Sequence, residues 1–184
     1  MIGYLSAGGL GLPDRDYYTA QDDDSKVKRA KYREHVVAML RLLGDTPEAA
    51  AAAADRILTF ETRLAEASLT RVERRDPYKT YNKKSRGELA ALTPRFAWDP
   101  YFRALGVPDL ATVNVSQPKF LEQVDRLLGD ESLDTWKTYL RWQLLNAKAA
   151  QLPRAFADRD FEFYGHTLRG TEARTPRWKE CVQA

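Results

Sequence analysis

The chain has 184 residues with 29 Lys and Arg against 26 Asp and Glu, a formal net charge of +3, and 43% hydrophobic residues. That length supports one sizeable domain of ordinary helical-protein composition, and the charge is too small to imply nucleic acid by itself. No apolar run approaches membrane-spanning length, and Cys181 is the only cysteine, which excludes an internal disulfide and leaves the compartment open.

The first twenty residues contain neither a basic n-region nor an apolar h-region, so no signal peptide is expected there. They do contain Gly8-Gly9-Leu10-Gly11-Leu12-Pro13-Asp14-Arg15-Asp16-Tyr17-Tyr18, the stretch lowest in helix propensity. It reads as a loop that turns the chain into the first long helix, with Arg15 and the neighbouring acids tying it down. Asp22-Asp23-Asp24-Ser25 supplies the acids and capping hydroxyl of a helix start. Tyr32, Val36, Met39, Leu40 and Leu43 follow at helical spacing, and Gly44 is a natural stop. Thr46-Pro47-Glu48 then opens an alanine-rich helix carrying Ala53, Ile57, Phe60, Leu64 and Ala67. Two long helices joined by so short a turn predict an antiparallel pair.

Residues 71–86 crowd Arg71, Arg74, Arg75, Lys79, Lys83, Lys84 and Arg86 around Tyr78 and Tyr81. Phosphates attract such charge and bases stack on tyrosine. No recognised binding motif accompanies it, however, and a polar connector whose arginines pair with nearby acids is the favoured reading. Ser85-Arg86-Gly87-Glu88 has capping-box spacing and predicts a short helix ending near Leu92. Thr93-Pro94 repeats the cap-then-proline signal ahead of Phe96, Trp98, Tyr101, Phe102 and Leu105, with Pro100 shortening whatever helix forms. Ala111-Thr112-Val113-Asn114-Val115 is the one convincing β-like run and needs a partner strand. Pro118 opens a helix with Phe120, Val124 and Leu127, stopped by Gly129. Ser132 opens the most strongly patterned helix, with Leu133, Trp136, Leu140, Leu144 and Ala147 as its predicted inner stripe and Tyr139 and Trp142 alongside. The aromatic-rich end is expected to turn helical again from Thr175-Pro176. The expected fold is mainly α, a single helical unit over residues 1–184 of antiparallel helices with at most a short β-strand pair.

The residues themselves supply no self-contained active site. His35 and His166 are the only histidines, and neither begins a His-Glu-x-x-His pair, so no metal ligand is assigned. The glycines at 8, 9 and 11 precede Pro13 rather than a phosphate-cradling lysine, and no base is identified for Cys181. Carboxylate pairs such as Asp158 with Asp160 or Glu162 read as solvated. No catalytic residue is assigned, and substrate-binding residues are left unknown.

The ordered words of the chain nevertheless resemble a family. Gly9-Leu10-Gly11-Leu12-Pro13-Asp14-Arg15-Asp16-Tyr17-Tyr18 is similar to the Gly-Leu-Pro-x-Arg-Asp-Tyr-Tyr stretch of the neprilysin and endothelin-converting-enzyme family of zinc metallopeptidases. Arg75-Asp76-Pro77-Tyr78-Lys79-Thr80-Tyr81-Asn82 resembles that family's Asp-Pro…Tyr-Asn segment, Val113-Asn114-Val115 its short extended piece, and Phe163-Tyr164-Gly165 through Trp178-Lys179-Glu180-Cys181 its Tyr-Gly…Trp-x-x-Cys ending. The resemblance covers essentially the whole chain.

It implies a part of the N-terminal, helical, substrate-enclosing domain, truncated from a longer metalloendopeptidase. In members of the family the zinc ligands lie further along, in a catalytic domain that would be this chain's partner in cis. Zinc is therefore implied for the parent and no cofactor for this chain, whose own partners would be peptides acting through the parent. The cysteine that animal members bridge to Cys181 is absent here, and so is the pair that follows their Tyr-Tyr, which implies a bacterial type of member and a free Cys181 thiol. Export or a periplasmic parent is among the open alternatives for location. Exposed apolar surface on such a piece implies self-association. The alternative function is a basic helical interaction or nucleic-acid-binding module acting through residues 71–86, although no nucleic acid is expected as a partner.

Overall fold

Capping chemistry places the long helices. In the computed structural model, which describes residues 3–176 with Trp178, Lys179 and Val182, the Asp22 side chain accepts from the Ser25 amide and starts α2 (Asp23–Leu42), after a short α1 (Asp16–Thr19). Gly44 ends the turn at a φ of 101°, in the left-handed region that glycine adopts without steric cost. Thr46 then accepts from the Ala49 amide to start α3 (Pro47–Glu66). Arg33 pairs with Asp55, and Tyr32 with Glu61, the register of an antiparallel pair.

The basic segment is a polar connector. It contains the one-turn α4 (Pro77–Thr80), and four of its seven cations are engaged: Arg71 and Arg74 with Asp14, Lys79 with Glu73, and Arg86 with Asp99. It ends in a strand, β2 (Lys83–Ser85), whose last residue closes the expected capping box with Glu88 on α5 (Arg86–Leu92).

The Thr93-Pro94 signal opens no helix. Thr93 is buried, closes α5 and accepts a hydrogen bond from Trp98 Nε1 at 2.7 Å, and α6 starts only at Trp98 (Trp98–Ala104). Pro100 is tolerated because it sits in the first turn, where its missing amide had no intrahelical partner.

The expected strand pair is a three-stranded sheet. β3 (Thr112–Val115) lies at its centre, parallel to β1 (Gly3–Leu5) and antiparallel to β2. Three-residue edges such as Gly3-Tyr4-Leu5 and Lys83-Lys84-Ser85 are too short to show a period of two, so only the central strand was legible. Buried Asn114 fixes the register with its side chain, accepting from the Asn82 amide at 2.6 Å and donating to Thr80 O at 3.0 Å.

α7 (Pro118–Asp130) carries Phe120 and Leu127 inward and runs one residue past Gly129. α8 (Leu133–Lys148) turns a different face inward from the one expected. Tyr139, Trp142 and Leu145 are buried, whereas Leu133, Leu140 and Leu144 are exposed. Tyr139 and Trp142 bury more area than leucine and carry polar tips that find partners inside, which decides the rotation. α9 (Arg154–Asp160) continues as a π-helical stretch, Phe161–Thr167, and packs Phe163 and Tyr164 against α2. The helix expected from Thr175-Pro176 and the state of Cys181 lie largely outside the described residues.

Candidate functional site

The glycine loop, residues 6–15, runs from β1 to α1 over a fully buried carboxylate. Glu61 stands on the apolar face of α3, between Ile57, Phe60 and Leu64. Its Oε2 accepts from the hydroxyls of Tyr18 at 2.7 Å and Tyr32 at 2.8 Å, and its Oε1 from Gln143 Nε2 at 3.0 Å. Trp142 Nε1 donates in turn to the Tyr32 hydroxyl at 2.9 Å. Burial pushes the Glu61 carboxyl up to about 7, with the tyrosine hydrogen bonds pulling against it.

This network grips the loop backbone. Tyr139 OH and Gln143 Nε2 donate to Gly9 O, Tyr164 OH donates to Gly11 O, and the Leu12 amide donates to Tyr18 OH. The contacts are too close for side chains. A Cβ on Gly11 would stand 1.9 Å from the Tyr32 hydroxyl oxygen, and one on Gly9, whose φ is 81°, would stand 2.1 Å from that of Tyr139.

A second anchor comes from the basic segment. Asp14, 3% exposed, accepts from Arg71 Nε at 3.1 Å, from Arg74 and from the Asp16 amide. Burial alone would raise its pKa, but the Asp16 hydrogen bond and the two guanidinium groups outweigh that and hold it below the usual carboxylate value. Of Arg15 and the neighbouring acids expected to tie the loop down, Asp14 does so. The Arg15 side chain makes no hydrogen bond or ion pair with a described residue, and its Nε is buried. Between the loop and Ser68, Leu69, Arg74, Gln117 and Tyr164 lies an open cleft of about 340 Å³. Gln117 shapes its far side by accepting from the Leu69 amide at 2.7 Å.

The two histidines do not come together as ligands. His35 is fully buried, stacked on Phe163 at 4.8 Å and set edge-on to Trp142 and Tyr164. Burial, aided by the charge of Arg159, lowers its pKa to about 3, so the ring is neutral. His166 lies on the surface 3.6 Å from Glu162. No group of three His, Cys, Asp or Glu among the described residues is placed to hold a metal. Asp158 pairs with Arg154 and Arg174 at the surface. The residues that sequence reasoning missed are Glu61, its tyrosines and Gln143. The signal was an acid four residues after Ile57 and three before Leu64, on a stripe that should have been apolar.

The described residues thus form a mainly helical fold that clamps the Gly-Leu-Pro loop from its core and bring no group of metal ligands together. The model of the N-terminal domain of peptidase family M13 matches residues 1–184, and the chain belongs to that family. It is 33% identical over 187 residues to endothelin-converting enzyme 1 of Cavia porcellus, covering 97% of this chain and 24% of that protein. It is 25% identical over 186 residues to neprilysin-11 of Caenorhabditis elegans, covering 95% and 22%. The zinc metalloprotease Zmp1 of Mycobacterium tuberculosis, solved in an open state, superposes with a TM-score of 0.91 at 36% identity over 98% of this chain and 28% of that one. PepO of Lactobacillus rhamnosis, at 20% identity and a TM-score of 0.77, shares the fold. The chain spans about a quarter of the length of the curated relatives it matches.

Proposed function

We propose that this chain is the substrate-confining N-terminal part of an M13 zinc metalloendopeptidase, with no catalysis of its own. The observation that carries the reading is the match of the N-terminal family model to all 184 residues. The donor set supports it, since neutral His35 sits in an aromatic box and His166 on the surface. Peptide hydrolysis would belong to a catalytic domain elsewhere in the parent, where zinc activates the attacking water. This part would wall the cavity and limit what enters.

The purified chain should hold substoichiometric zinc by elemental analysis and show no chelator-sensitive cleavage of a quenched fluorescent peptide. Stoichiometric zinc with such cleavage would overturn the reading. In the parent, cleavage should fall off steeply from short peptides to folded proteins, and equal rates on both would remove the confinement role.

The exposed leucines of α8 have a place in the same reading. Leu133, Leu140 and Leu144 lie within one helical stripe and are 69%, 57% and 66% exposed, an apolar face that the rest of the parent would cover. The isolated chain should self-associate through it. Sedimentation should show a mass that rises with concentration and returns to monomer in Leu140→Glu/Leu144→Glu. A wild-type chain that stays monomeric at all concentrations counts against this.

A further inference from the structure

The basic connector carries charge out of proportion to its length. Residues 71–86 hold seven of the chain's 29 Lys and Arg but only two of its 26 Asp and Glu, Glu73 and Asp76. That surplus exceeds the +3 of the whole chain, so the rest of the molecule is net acidic. Asp14, Glu73 and Asp99 offset four of the cations. Arg75 and Lys83, both exposed, pair with no acid among the described residues.

The same side of the molecule shows apolar tips. Val72 is 77% exposed, Tyr78 93%, Tyr81 59% and Tyr4 66%. The sheet gathers them. Tyr4 on β1 and Lys83 on β2 both stand opposite Asn114 of β3, so the three side chains share one face. On that face the Asn114 side chain accepts from the Asn82 amide and donates to Thr80 O, which lays the connector across it. The connector is fixed in shape as well. Asp76 caps α4, and Glu73 accepts from the Thr70 amide and from Lys79. Tyr78 and Val72 are therefore held out in water by an ordered backbone.

Cations around exposed tyrosine and aliphatic tips match the surface of an anionic bilayer. There basic side chains meet headgroup phosphates, and tyrosine rings settle at headgroup level. A single-stranded nucleic acid would use the charge and the tyrosine rings but leave Val72 in water. We infer that this face is a peripheral docking surface for an anionic lipid bilayer, with Arg75 and Lys83 drawing the chain down and Val72 and Tyr78 entering the headgroup layer. Docking of this kind needs no catalytic partner, so it stands or falls apart from the peptidase reading.

The test is co-sedimentation of the full 184-residue chain with vesicles of phosphatidylcholine alone and of phosphatidylcholine mixed with phosphatidylglycerol, at low and high salt. The chain should bind the anionic vesicles, stay in solution with the neutral ones, and come off as salt screens the exposed charges. Arg75→Glu/Lys83→Glu should weaken binding about thirtyfold, from about fivefold for each basic residue at such a surface. Lys31→Glu/Lys137→Glu makes the same change in net charge at exposed positions elsewhere and should weaken it far less. Tyr78→Trp reads insertion: relative to wild type, its added emission should shift to shorter wavelength on anionic vesicles. Leu140→Glu/Leu144→Glu should keep most of the binding, which separates this face from the apolar stripe of α8. All these positions are exposed, so urea unfolding of each variant should match the wild type. Equal binding to neutral and anionic vesicles, equal losses from the two charge-reversed pairs, or no emission shift at position 78 in the bound chain overturns the surface. Loss of binding in Leu140→Glu/Leu144→Glu would assign it to α8 instead. A labelled single-stranded oligonucleotide that binds through Arg75 and Lys83, while anionic vesicles leave the chain in solution, would make the partner a nucleic acid and remove the lipid assignment.

Discussion

Glu61→Ala is expected to destabilise the domain by about 3–5 kcal/mol, the combined cost of buried polar groups left without a partner and of the cavity left behind. Glu61 is 0% exposed and is the only acceptor shown for the Tyr18 and Tyr32 hydroxyl protons. Alanine leaves both hydroxyls and one hydrogen-bonding contact of Gln143 to find other acceptors in a core closed to water. Each buried polar group left unsatisfied costs about 1–3 kcal/mol. The missing side chain adds a cavity beside Ile57 and Phe60. For a domain whose whole stability is about 5–15 kcal/mol, that is about a fifth or more. Glu61→Gln keeps the shape and one acceptor oxygen, so about 1–2 kcal/mol is expected. Urea unfolding followed by tryptophan fluorescence measures both, because Trp142 reports directly on Tyr32. The alanine variant should also loosen the glycine loop, since Tyr18 and Gln143 join Glu61 to it. A loss below about 1 kcal/mol would mean that the tyrosines hold the loop without the carboxylate.

The helices were legible because their signals are local. Thr46, Ser85 and Ser132 each cap a helix from within three residues in the structure, and the acid-rich start of α2 is capped by the Asp22 carboxylate where the Ser25 hydroxyl was expected. The site was not legible because its contacts span the chain. Tyr18 reaches Glu61 across 43 residues, and Tyr164 reaches Gly11 across 153. A pattern of apolar spacing also ranks residues by hydrophobicity, which is why it put Leu140 and Leu144 inside α8 and left Tyr139 and Trp142 at the side. A hydroxyl or indole N–H with a buried partner reverses that order. The glycine loop could be recognised as special from its composition. Which of Asp14 and Arg15 anchors it could not, because the deciding partners, Arg71 and Arg74, lie nearly sixty residues on.

The pH dependence of stability separates the two buried titratable groups on either side of Trp142. Glu61 has a folded pKa raised from 4.5 to about 7. The folded state therefore holds a proton that the unfolded chain releases, and stability falls as pH rises from about 4.5 to 7. His35 has a folded pKa lowered from 6.5 to about 3. Here the unfolded chain takes the proton, and stability falls as pH drops from about 6.5 to 3. Each slope is about 1.4 kcal/mol per pH unit. Between about pH 4.5 and 6.5 the two run in opposite directions, so their contributions to the wild-type profile should cancel there. Glu61→Gln removes one side: relative to wild type, its stability should rise with pH across that window by about 2–3 kcal/mol. His35→Phe keeps a ring to stack on Phe163 and removes the other side, so its stability relative to wild type should fall over the same range. Denaturant titrations at pH 4.5, 5.5 and 6.5 on the three proteins decide it. Parallel profiles for wild type and Glu61→Gln would show that the carboxyl titrates alike in both states, and the balance between Glu61 and His35 would then be no part of how this domain stays folded.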